Sequence, residues 1–147
     1  MRSILVLSLL VTGLGFASEK KVKMKDLPPP VRKTVEELGK TSTIVGLAKE
    51  VEDGKTVYEA ETKVNGKTRD LTIDSEGKIV TTEDEVTIDS IPAPARTAIE
   101  KAAAGGKITL VEKVTKGNEV KYEAAIIPKS GKKKEVSFNA EGSPVKW

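Results

Sequence analysis

The sequence predicts an α+β protein built as a tandem repeat, each copy a helix followed by an antiparallel β-meander in the order α-β-β-β-β. Three observations carry that reading. Tyr58-Glu59-Ala60 returns 64 residues later as Tyr122-Glu123-Ala124, each time inside a hairpin pattern. A proline-headed helix pattern returns at the same offset, with Pro28/Pro92, Pro30/Pro94, Arg32/Arg96 and Glu36/Glu100 identical. The two hairpins, closed by different turns, also give the same strand register.

Met1–Ala17 stands outside the fold. Arg2 supplies a positive start, Ile4–Leu14 is an apolar run too short to span a membrane, and Gly15-Phe16-Ala17 offers small residues before a cleavage site. The expectation is a signal peptide cleaved near Ala17, a periplasmic or secreted protein, and no membrane anchor. Residues 18–25 are small and charged and read as a flexible arm. The first copy then covers 26–81. Its helix begins with prolines, tolerated where the first-turn N–H groups are unpaired, and places Val31, Val35 and Leu38 on one stripe before Gly39.

Strand Thr43–Glu52 turns at Asp53-Gly54 into Lys55–Val64, which turns at Asn65-Gly66. Asn-Gly favours a type I′ turn, because both positions take φ > 0 and match strand twist. With that loop Tyr58 faces Ile73 and Ala60 faces Leu71 on an apolar side, while Glu61 faces Asp70 on a polar one. Asp74-Ser75-Glu76-Gly77 turns into a last short strand at 78–81. Residues 82–88 read as a linker. The second copy, 89–147, repeats the helix at Ser90–Ala102, with Ala95, Ile99 and Ala102 in its stripe. Its long hairpin closes through the three-residue loop Lys129-Ser130-Gly131, which sets Tyr122 against Phe138 and Ala124 against Val136. Tyr58, Ile73, Tyr122 and Phe138 are the expected core. Counting through the first turn of each copy also assigns Val45 and Thr109 to that face, and a last strand is expected at 144–147.

At this point a family resemblance emerges. Leu-Pro-x-x-Val before a helix, Gly54–Ala60 (GKTVYEA), Asn65-Gly66-Lys67 and Leu71–Lys78 (LTIDSEGK) resemble the PepSY-like domains. In particular they resemble the exported bacterial group described as β-lactamase-inhibitor-like, PepSY-like proteins. The resemblance spans about residues 26–147 as two copies, the second departing at Asn139 and at Ser143-Pro144. It implies helices packed on one sheet face, with the open faces able to bind a protein. Inhibition of peptidases or β-lactamases is the role it implies.

Composition excludes several function classes. The chain has 25 Lys+Arg against 22 Asp+Glu, and without Arg2 the balance is 24 to 22. Nucleic-acid binding, which favours a concentrated basic surface, is not expected. There is no His and no Cys, hence no catalytic triad, thiol nucleophile or His-based zinc site. No Gly-rich phosphate loop is present. An enzyme is not expected, nor a cofactor.

The remaining candidate is acidic. The derived registers place Glu59, Glu61 and Asp70 on one open sheet face of the first copy, and Glu112, Glu123 and Glu135 on that of the second. The bland reading is a solvated face with neighbouring lysines. The functional one is a binding surface for an unknown protein partner, an exported enzyme among them. Two functions therefore stay open: a non-enzymatic exported protein-binding module, including an inhibitor of a peptidase or other periplasmic enzyme, and an envelope accessory protein binding cations or small ligands on the acidic face. Calcium is the weaker branch, since no EF-hand-like loop occurs.

Overall fold

The computed structural model describes residues 19–146. The segment read as a signal peptide, its cleavage site and Trp147 lie outside them. Strands β1 (Lys20–Lys21), β2 (Thr43–Glu52), β3 (Lys55–Val64), β4 (Lys67–Asp74), β5 (Ile79–Glu85), β6 (Lys107–Lys116), β7 (Glu119–Ile127) and β8 (Lys134–Phe138) form one antiparallel sheet in sequence order. Helix α1 (Pro29–Leu38) precedes β2 and helix α2 (Ala93–Ala103) precedes β6.

That single sheet corrects the tandem helix-plus-meander expectation. Thr81–Glu85 pairs directly with Glu112–Lys116, so one hydrogen-bonded sheet runs from β4 through β5 into β6. Thr82–Glu85, expected in a linker, lies in β5; only the 3₁₀ turn Ile88–Ser90 remains as a connection. With no Gly or Pro to break it, this stretch extends into a strand. Among the described residues the second half has no matching last strand: Pro144 lacks an N–H and makes an isolated bridge to Phe138. The expected flexible arm is also built in: Lys20 and Lys21 pair with Lys49 and Ala48, and Met24–Asp26 forms a 3₁₀ turn. Arg32 holds that turn, donating from Nη2 to the carbonyls of Lys25 (3.2 Å) and Leu27 (3.1 Å).

The strand pairings counted from the turns are those observed. Asn65 and Gly66 have φ of 52° and 81°, and Tyr58 pairs with Ile73, Ala60 with Leu71 and Glu61 with Asp70. Tyr122 pairs with Phe138 and Ala124 with Val136. Two bulges alter the face assignment upstream. One between Ile44 and Gly46 brings Ile44, not Val45, opposite Thr62, leaving Val45 57 % exposed. The other, between Ile108 and Leu110, sets Ile108 opposite Ile126 in place of Thr109. An extra residue in one strand shifts which side chains face inward, and no turn count registers it.

Directly paired residues share a sheet face. Following Ala60, Leu71, Thr82, Thr115 and Val120 across the sheet therefore puts both helices on one side. Beneath α1, Val31 and Val35 bury against Tyr58, Ala60 and Ile73. Beneath α2, Ala95, Ile99 and Ala103 bury against Val111, Ala124 and Ile126. Tyr58 and Ile73 are buried at 7 % and 0 % exposure, whereas Tyr122 and Phe138 are only partly buried at the margin of the second core. Phe138 lies on β8, the last strand, whose outer edge meets an isolated bridge to Pro144 and the Val145 N–H rather than a full strand such as the one β4 lays beside β3.

Candidate functional site

The face opposite the helices collects one or more carboxylates from each strand from β2 to β8. Glu50 comes from β2, Glu59 and Glu61 from β3, Asp70 from β4, Glu83 and Glu85 from β5. Glu112, Glu123 and Glu135 come from β6, β7 and β8. Alternation fixes the face, and register fixes the neighbours. Glu61 sits opposite Asp70 and Asp70 opposite Glu83; on the next row Glu85 sits opposite Glu112 and Glu112 opposite Glu123. Side chains so paired have Cβ atoms about 4.5–5.5 Å apart, close enough for like charges to repel.

All six sequence candidates therefore lie on this face, in one continuous field. The sheet joins the two expected groups through Glu83 and Glu85, which sequence reading left in the linker. The signal that could have found them is the run Thr81–Val86, which holds no Gly or Pro and, read as a strand, sends Glu83 and Glu85 to one face and Asp84 to the other.

The solvated reading is corrected by burial. Ala48, Val57, Val114 and Ala125 lie on this same face and are buried, Val114 at 1 % exposure. Crowding of the longer side chains over these small ones takes the carboxylates partly out of water, and Glu59, Asp70, Glu83 and Glu112 are half-buried. Burial disfavours the charged form and like neighbours add to it. Burial, then the charges of Glu50, Asp70, Glu61 and Glu83, pushes Glu59 up to about 8. Burial with Glu112, Glu123 and Asp70 nearby pushes Glu83 up to about 8 as well. Glu112 is raised to about 7 by burial and then chiefly by Asp70 and Glu123, and Asp70 to about 6 by burial and Glu61. Burial also raises Glu50 and Glu135.

The field contains one buried cation. Lys121, 5 % exposed, places Nζ 2.6 Å from Glu123 Oε1, and Ser137 donates its hydroxyl to the same oxygen at 2.9 Å. Glu85 accepts from Thr68 N (2.9 Å) and Oγ1 (3.2 Å). In the first half, the position of Lys121 is taken by Val57, 64 residues earlier. Glu50, Glu59, Asp70 and Glu83 there line a depression of about 20 Å³. That volume fits a water molecule and is too small for an organic substrate. Carboxylates of Glu19, Glu50 and Glu59 lie within 4.8 Å of one another at its outer margin.

Comparison with solved structures finds this architecture in Bacteroides. A Bacteroides eggerthii protein provisionally described as periplasmic superposes with a TM-score of 0.63 at 19 % identity, covering 82 % of this chain and 86 % of its own. A DUF2874 family protein from Bacteroides ovatus gives 0.60 at 19 % identity, over 82 % and 85 %. A BLIP-like protein from Bacteroides fragilis gives 0.56 at 19 % identity, over 82 % and 84 %. The likeness is one of fold. No family model and no curated protein matches the sequence. Among the described residues no helix is long and apolar enough to cross a membrane.

Proposed function

We propose that this chain is an exported, non-enzymatic binding module that takes a cationic protein segment on the open face of its sheet. One observation carries the reading: seven neighbouring strands each direct at least one carboxylate to one face, where partial burial makes their repulsion expensive. A lysine- or arginine-bearing partner offsets that repulsion, as Lys121 does within the chain. A shallow face without an enclosed cavity suits a macromolecule better than catalysis. Inhibition of an exported peptidase is the specific form of this reading, supported by the fold shared with a BLIP-like protein. Export rests on the Met1–Ala17 pattern.

The test is titration of the protein from Ser18 onward with a lysine-rich peptide, followed by calorimetry at 0.05 and 0.5 M salt. Binding that weakens with salt and is lost in the Glu59→Gln/Glu61→Gln/Asp70→Asn variant supports the reading. Equal binding by the variant removes the open face as the site. A second reading, a divalent cation, is favoured by the convergence of Glu19, Glu50 and Glu59. It predicts calcium-dependent melting that Glu50→Gln abolishes.

A further inference from the structure

The sheet carries two cores that share no residue, and β5 contributes to neither. Each of its seven side chains is exposed or only partly buried, and none belongs to the core beneath either helix. What holds the halves together at β5 is a ladder of backbone hydrogen bonds, interrupted by an irregularity where Thr72 and Ile73 pair with Thr81 and Ile79, together with the Thr68–Glu85 hydrogen bonds and the Arg69–Asp84 ion pair. With its side chains only partly buried and none of them in either core, β5 resists bending less than the strands packed beneath the helices.

Charges sit on both faces of this strand. On the open face Asp70 opposes Glu83 across β4–β5, and Glu85 opposes Glu112 across β5–β6. Glu50 of β2, Glu59, Glu61 and Lys63 of β3, Lys116 of β6, Glu119, Lys121 and Glu123 of β7 and Glu135 of β8 share that face, and Lys121 is the one buried lysine among them. On the helix face the signs are opposite. Arg69 opposes Asp84, with which it forms an ion pair, and Asp84 opposes Lys113 on the other side. Repulsion on one face and attraction on the other bend the sheet in the same direction.

We propose that β5 is a hinge whose angle is set by the charge of the open face: ionisation of Asp70, Glu83 and Glu112 splays that face and draws α1 toward α2. The response belongs to the free protein and goes beyond the binding reading above, since it needs no partner. Burial places the change between about pH 5 and pH 9, because Asp70 is raised to about 6, Glu112 to about 7 and Glu83 to about 8.

The chain has no cysteine, so Glu36→Cys/Glu100→Cys places one spin label on the exposed side of each helix. Pulsed dipolar spectroscopy at pH 5 and pH 9 should show the interhelix distance shortening by about 2 Å at high pH, the scale of helix shifts in switching proteins. Salt at 0.5 M should restore the pH 5 distance at pH 9. The added substitutions Asp70→Asn, Glu83→Gln and Glu112→Gln should abolish the pH response. An unchanged distance between the two pH values, or a shift that salt does not reverse, overturns the hinge. A shift that persists in the neutralised variant overturns its control by these three groups.

Discussion

Tyr58 and Glu59 are adjacent and face opposite ways, and between them they show what each side of the sheet demands. Tyr58 packs under α1 beside Ile73, while Glu59 is held among Glu50, Glu61 and Asp70. Tyr58→Ala should cost about 3–5 kcal/mol in urea unfolding, the range for removing a buried aromatic ring. Glu59→Gln should instead raise stability at pH 9, because the isosteric amide removes a charge that its neighbours and burial both oppose. The direction of each side chain was legible from alternation and the Asn65-Gly66 turn. The half-burial of Glu59 was not, since it depends on neighbours supplied by β2, β4 and β5 and on small residues such as Ala48 beneath them.

At the scale of elements, the recurring turns Asp74–Lys78 and Asn139–Ser143 explain why both halves keep a glycine there. Asp74 Oδ1 accepts from the N–H groups of Glu76 and Lys78, closing the turn. Gly77 (φ 85°) then passes so near α1 that a Cβ would lie 2.6 Å from the Pro30 carbonyl oxygen; Gly142 (φ 81°) meets Pro94 likewise at 2.7 Å. Gly66 has φ 81° with nothing within 4 Å. Gly66→Ala should therefore cost only backbone strain, about 1–3 kcal/mol. Gly77→Ala should cost clearly more in the same melts, because the first turn of α1 must also move. Equal costs would mean that the helix shifts freely. These turns and the proline helix starts were readable from sequence. The bulges at Val45 and Thr109 were not, because a bulge is set by the competition of neighbouring side chains for the core. Nor was the extension of the short strand at 78–81 into β5, whose partner β6 follows only after the whole of α2.

For the whole molecule, continuity of the sheet turns two acidic patches into one field, and stability should respond to pH accordingly. The raised carboxylates bind protons in the folded state at pH values where the unfolded chain has released them. Their contribution is thus fully present below about pH 4 and is lost as pH rises to about 8. Thermal melts should show a lower Tm at pH 8.5 than at pH 5.5, partly recovered by 0.5 M salt, which screens the repulsion. A Tm that rises over this interval would point to other groups dominating. The most direct test is residue-resolved NMR titration of the side-chain carboxyl carbons in the folded protein. Glu59 and Glu83 should titrate with midpoints near 8, Glu112 near 7 and Asp70 near 6. Midpoints for all four at about 4, the value of solvated carboxyls, would contradict the account of the open face as a crowded, proton-holding surface.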